Sequence, residues 1–384
     1  MIRYAADEVR RGTGNIKWDL QGPQPFGIAD MDIESPPCVV EALQERLNHR
    51  FYGYAFMTDE LRGVICDYLR ERHNVADARP EWLHALPGCV PAFTLVARAV
   101  CTAPEHEIMV CTPSYPPMLH CHEDVGCQLI TVPCTCTDDT WNFDWEAMEA
   151  AVTPNTRMFL FCNPHNPTGR VFTEEELRKV GELCIKHNVN IISDEIHSDL
   201  IQKPYHHTHL ASLSPELMER TVTLIAPTKT FNIAGLSTSV MITPGEALRA
   251  KVREELNRYH VEQGNLFGTV TLTAAYNEGD EWLEQLLEYI KGNMALVSDF
   301  FAEKMPEVVA KPSEGTYMMW LDYRGLGMSH EELCKFLATE AHVGLNDGAT
   351  FGEEGRGFMR INLATSREMV QTALDRIYEA WSKR

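Results

Sequence analysis

Between residues 107 and 243 the chain alternates short apolar runs with amphipathic stretches, and this alternation limits most strongly what it can fold into. Residues 107–111, 128–132, 157–162, 189–193, 221–226 and 236–243 read as strands. From Thr173 a helix opens: Glu176 stands three residues on as the reciprocal capping partner, and Leu177, Val180 and Cys184 share one face. Strands interleaved with helices predict an α/β fold with a mostly parallel sheet, since parallel neighbours need a crossover between them.

At 384 residues the chain exceeds what one core usually serves, so a second unit is expected. Residues 280–305 carry Trp282, Leu286, Tyr289 and Ile290 at helical spacing. Beyond them, a run at 316–321, a helix at 331–339 and a last helix from Ser366 predict a smaller α+β unit. The expected division is an N-terminal segment (1–48, containing a loop rich in Pro and Gly and packed on the smaller unit), a large domain (49–279) and a small C-terminal domain (280–384).

Several function classes are set aside by composition. A formal charge of -21 leaves no basic stripe for nucleic acid. No apolar run approaches the roughly eighteen residues of a membrane span, and the first residues lack a signal peptide's apolar stretch. A cytoplasmic address is the expectation. The twelve cysteines are scattered without a Cys-x-x-Cys pair and read as buried apolar residues. His120-Cys121-His122 and His206-His207-Thr208-His209 read as solvated loops, for lack of a complementary carboxylate pattern, and no metal is expected.

The chemistry concentrates at strand ends, where open α/β sheets bind ligands. Asn166 follows the 157–162 strand, Asp194 tips the next, and Lys229 follows a third. Each alone has an ordinary reading as a loop or capping residue. As a set they suit a pyridoxal cofactor: Lys229 to form the imine, Asp194 to pair with the pyridinium nitrogen, and Asn166 to bond the ring hydroxyl oxygen.

The local strings carry a resemblance. Asn163-Pro164-His165-Asn166-Pro167-Thr168-Gly169, Ser193-Asp194-Glu195-Ile196-His197 and Thr228-Lys229-Thr230-Phe231-Asn232-Ile233-Ala234-Gly235-Leu236 resemble the fold-type-I, aspartate-aminotransferase-like pyridoxal-phosphate enzymes. Ala29-Asp30-Met31-Asp32, Tyr52-Gly53-Tyr54, Pro87-Gly88-Cys89-Val90-Pro91, Glu314-Gly315-Thr316-Tyr317 and Gly357-Phe358-Met359-Arg360-Ile361-Asn362 resemble, in order, the cystathionine β-lyase branch, the MalY/PatB-like C–S lyases. The resemblance implies that Gly88, Cys89 and Val90 offer amides to the cofactor phosphate at a helix start. It also implies that Tyr115 stacks on the ring, that Thr228 helps hold the phosphate, and that Tyr54 reaches the site of a second subunit in a homodimer. Arg360 is implied as the clamp on the substrate carboxylate, with Asn166 and Ala29 beside it.

Two positions depart from the common aminotransferase pattern and are shared with the lyase branch. His197 stands where a tyrosine faces the ring hydroxyl, and Ser237 stands where many relatives place a phosphate-binding arginine. Ala226, rather than serine, precedes the lysine by three. The implied reaction is α,β-elimination on L-cystathionine or a related L-cysteine S-conjugate, giving a thiol, pyruvate and ammonia. An aminotransferase is the nearest alternative, and a non-catalytic regulatory protein on this fold is the second.

Overall fold

The computed structural model describes residues 3, 10–20, 24–262 and 264–384. Seven strands form the central sheet: β1 (Leu83–Leu86), β2 (Glu107–Thr112), β3 (Gln128–Pro133), β4 (Thr156–Cys162), β5 (Asn190–Asp194), β6 (Thr221–Ile225) and β7 (Ser239–Ile242). Their order is β1-β7-β6-β5-β4-β2-β3. Only β7 runs against its neighbours, while β3, β2, β4, β5 and β6 are mutually parallel.

Side-chain alternation explains why the strands read as continuous apolar runs: both faces are covered. Ile108, Val110, Leu160, Ile192 and Leu224 point to a core shared with Phe93, Val96 and Val252, from the helices Cys89–Val100 and Glu246–Tyr259. Met109, Phe159, Phe161 and Ile191 point the other way, against Leu177, Val180 and Cys184. Those three belong to the helix Glu174–Lys186, whose Thr173–Glu176 capping box is formed as expected. All twelve cysteines are free, and eight are buried.

The strand expected at 236–243 is shorter. Ala234–Leu236 forms a tight helical turn and Ser237 takes a left-handed φ of 44° before β7 begins. This bend brings Ser237 and Thr238 to the cavity described below. β1 has no counterpart among the strands read from the sequence, because its four residues are too few to carry a clear period.

A second, antiparallel sheet joins β8 (Met318–Asp322), β9 (Asn346–Asp347) and β10 (Phe358–Asn362) in the order β8-β10-β9. The long helix Asp280–Lys304 and the final helix Arg367–Trp381, capped by Ser366, pack together beside it. The 331–339 helix is instead His330–Lys335 followed by a wider turn to Glu340. The N-terminal segment divides its loyalties. Phe26 bonds the backbone of Gly344 and Asn362, and Asp32 that of Ala364, at and beside the second sheet. The helix Pro37–Asn48 lies instead against Leu266–Glu278.

Candidate active site

A cavity of about 340 Å³ opens at the carboxyl ends of the parallel strands. The expected residues Ala29, Gly88, Cys89, Val90, Tyr115, Asn166, Asp194, His197, Thr228, Lys229 and Arg360 all line it. Tyr54 does not; it is 98% exposed in this chain.

Lys229 sits in the short helix Pro227–Thr230 directly after β6. Its Nζ donates to the carbonyl of Ala29 at 2.6 Å. Burial, then the charge of Arg360, holds its ammonium below the ordinary lysine value, while Asp30 and Asp194 pull the other way. Asp194 ends β5 and is buried, and its Oδ1 accepts a long bond, 3.3 Å, from the Ile196 amide. Burial pushes its carboxyl up to about 7, helped by Glu195 and opposed by that amide and by Lys229. A buried acid so poorly compensated is suited to a cationic partner.

Arg360, on β10, is 3% exposed. Its Nη1 donates to Asn166 Oδ1 at 2.7 Å and its Nη2 to the Gly27 carbonyl at 2.8 Å. The guanidinium carbon lies 4.9 Å above the Phe351 ring. Burial lowers its pKa to about 10, so it stays charged at neutral pH. Among the described residues no carboxylate lies within ion-pair distance of it, and its Nε has no partner. By accepting from Arg360 with its oxygen, Asn166 leaves its amide N–H groups free to donate into the cavity.

At the third corner, the helix Cys89–Val100 starts at Gly88 without a side-chain cap. Its first-turn amides therefore face an opening with no internal partner, the arrangement that favours a phosphate. The thiol of Cys89 is pushed well up by burial, so its part is the backbone amide. The hydroxyls of Thr228, Ser237 and Thr238 line the same cavity. His197 is held neutral, its pKa lowered to about 3 by burial and by the charges of Lys229 and Arg360. Its Nδ1 is buried without a partner among the described residues, and its ring lies edge-on to that of Tyr317. Lysine, acid, uncapped helix and spare polar atoms together fit pyridoxal 5'-phosphate.

Sequence reasoning missed Thr238 and Asn346, which also line the cavity. Asn346 pairs with Arg360 across β9 and β10, a placement no local motif announces.

The histidine readings need correction. His120 lies on the helix Pro116–Val125, exposed and 3.0 Å from Glu123. The side chains of His207 and His209 are buried against Glu195, with His207 Nε2 2.8 Å from its Oε2. The missing carboxylate is thus supplied by the residue after Asp194. His207 Nδ1 faces the Asn163 amide nitrogen at 3.5 Å, and that amide is oriented by the Phe172 N–H on its oxygen. The proton of His207 accordingly belongs on Nε2, directed at Glu195. His330, Cys334 and Asp347 form a second group of side chains that the sequence did not single out.

The sequence model of the aminotransferase class I and II family matches residues 25–377. The chain belongs to that family. It is 37% identical to cystathionine β-lyase PatB of Bacillus subtilis (strain 168), over 99% of this chain and 100% of that protein. Among solved structures it is similar to cystalysin from Treponema denticola, which contains a pyridoxal 5'-phosphate cofactor (TM-score 0.96, 31% identity, 99% of both chains). It is also similar to a pyridoxal-phosphate-bound putative aminotransferase from Clostridium difficile 630 (TM-score 0.93, 38% identity, 97% of both chains). The fold is the type I pyridoxal-phosphate transferase fold.

Two predictions arise from these charges. In cofactor-free protein, folded Asp194 keeps a proton up to about pH 7, whereas an unfolded aspartate loses it near about 3.9. Stability should therefore fall as pH rises between those values, by up to about 1.4 kcal/mol per pH unit. Urea midpoints of the parent and of Asp194→Asn at pH 5 and pH 7 check this: the difference should shift with pH in the variant's favour, and a constant difference would contradict it. Arg360→Ala should lower kcat/KM for amino-acid substrates at least about tenfold, since a bond to a charged group contributes about 1.5–3 kcal/mol, while cofactor occupancy stays near that of the parent. Steady-state kinetics beside an absorbance titration of bound cofactor would separate the two, and unchanged kinetics would reduce Arg360 to a structural role.

Proposed function

We propose that this chain is a pyridoxal 5'-phosphate-dependent carbon–sulfur β-lyase. Its substrate is L-cystathionine or a related L-cysteine S-conjugate, which with one water gives a thiol, pyruvate and ammonia. The observation that carries the reading is the pairing, in one cavity, of an arginine with no carboxylate partner among the described residues and a lysine whose ammonium is disfavoured. A substrate α-carboxylate supplies the anion that Arg360 lacks. Asn166, already oriented by Arg360, donates from the same side. With its charged form disfavoured, Lys229 is suited to take the α-proton and return one to the leaving group.

When bound, pyridoxal 5'-phosphate supplies an electron sink for the pair released at the substrate Cα. Asp194 serves that sink through the ring nitrogen, and the Gly88–Val90 amides with Thr228 hold the phosphate. His197 is assigned to the ring face near the hydroxyl oxygen, as a neutral group. Elimination is favoured over transfer by the likeness to PatB, a cystathionine β-lyase, along essentially the whole chain. Transamination is the second reading, because the similar Clostridium difficile structure is described as a putative aminotransferase. A purely regulatory role would not require Lys229, Asp194 and Arg360 together.

A homodimer belongs to the same proposal. Phe51, Tyr52, Tyr54 and Phe56 are each more than half exposed in one short stretch. A second copy of the chain would cover them and bring Tyr54 to its neighbour's phosphate site. Among the described residues no helix is long and apolar enough to cross a membrane, and a cytoplasmic address is in keeping with twelve unpaired cysteines.

The two reactions share their opening steps, so their ratio rests on a small barrier difference, tenfold for about 1.4 kcal/mol. L-cystathionine alone should yield pyruvate, ammonia and homocysteine together, faster than L-alanine with 2-oxoglutarate yields glutamate. Rapid glutamate formation with negligible thiol release would replace the lyase by the aminotransferase.

A further inference from the structure

The backbone carbonyls of Gly27, Ile28, Ala29, Asp30, Met31 and Ile33 all accept hydrogen bonds from side chains elsewhere in the chain. Gly27 O accepts from Arg360, and Ala29 O from both Lys229 and Tyr317. Ile28 O and Asp30 O accept from Asn362, two residues after Arg360. Met31 O and Ile33 O accept from Asn232, three residues after Lys229. The two residues on which the proposed chemistry turns are thus braced against one stretch of backbone. A short N-terminal arm bonds the same stretch, in part at the same carbonyls, those of Asp30 and Met31. Lys17, in the helix Ile16–Leu20, is 1% exposed. Its Nζ donates to Asp30 O at 2.9 Å and to Asp32 Oδ2 at 2.7 Å. Trp18 Nε1 donates to the other Asp32 oxygen at 2.7 Å. Arg10 reaches Met31 O and Asp30 Oδ2, and Asn15 bonds the same Asp30 oxygen.

We propose that Lys17, with Asp32 and Trp18, is a positioning set that fixes the 27–33 segment and through it the placement of Lys229 and Arg360. A buried ion pair is an inefficient way to stabilise a fold, because desolvation offsets much of the attraction and apolar residues of the same volume often do as well. Its distinctive effect is geometric: two charged groups that must meet in one arrangement fix a register that apolar contact would leave loose. Here the arrangement is further restricted. Asp32 has both oxygens engaged, its own amide is tied to Ala364 O, and the lysine also spans to the carbonyl two residues earlier. A shift of the segment would break these bonds together and carry Ala29 O away from Lys229. The arm makes no contact with substrate in this account, so its effect is transmitted, and it rests on the reading of Lys229 and Arg360 given above.

The test uses cofactor-loaded protein with Lys17→Met, Lys17→Arg and Trp18→Phe. Hydrogen exchange of peptides spanning 24–35 should quicken at least tenfold in Lys17→Met. The pH midpoint of the cofactor's visible band, which reports the surroundings of Lys229, should move, and kcat should fall at least tenfold. Lys17→Arg should restore most of each. Trp18→Phe, which removes one bond and keeps an aromatic ring, should move all three in the same direction by less, and it decides the matter if Lys17→Met does not fold. Faster exchange with an unmoved band and unchanged kcat would make the arm structural only and overturn the proposal, as would unchanged exchange in both Lys17→Met and Trp18→Phe. The exchange and absorbance readings do not depend on which reaction is run, so failure of the lyase reading would be seen separately in product analysis.

Discussion

Arg360 is a full positive charge buried among neutral acceptors, and the site is organised by that constraint. Its two bonded partners, Asn166 Oδ1 and Gly27 O, come from the turn after β4 and from the N-terminal segment. Three distant parts of the chain must therefore meet before the cation is tolerable in the interior. Neither partner neutralises it. The remaining demand for an anion gives the cavity its preference for a carboxylate-bearing ligand.

The other charges follow from this one. Arg360 adds to burial in lowering the Lys229 ammonium and in keeping His197 neutral. Asp194, pushed up to about 7, lies on the opposite side of the balance, a carboxyl that becomes a settled anion only beside a cation. A ligand carrying a carboxylate for Arg360, a phosphate for the uncapped helix and a ring nitrogen for Asp194 would relieve all three demands at once. Pyridoxal 5'-phosphate with an amino-acid substrate has that composition.

How much of this was legible in the sequence depended on locality. The strand ends at Asp194 and Lys229 were visible because polar residues interrupt apolar runs there, and the Thr173–Glu176 cap because its signal spans three residues. Thr238 was obscured because residues 236–243 read as one strand, whereas a left-handed Ser237 turns the chain before the strand begins at Ser239. Asn346 enters only through its pairing with Arg360. The pairing of Lys17 with Asp32, fifteen residues on, has no local signal and arises only when the fold buries them against each other. Likewise His207 and His209 seemed to lack a carboxylate because Glu195 lies twelve and fourteen residues earlier, on a strand end.

The central claim is that Lys229 is the residue to which the cofactor is covalently joined. Borohydride treatment of the protein loaded with pyridoxal 5'-phosphate should bleach its visible band and fix the label irreversibly. Peptide mapping by mass spectrometry should then find the adduct in the segment containing Thr228-Lys229-Thr230, and Lys229→Ala should take no label. A stoichiometric adduct on any other lysine, or an unlabelled protein that still binds the cofactor as tightly, would contradict the account at its base.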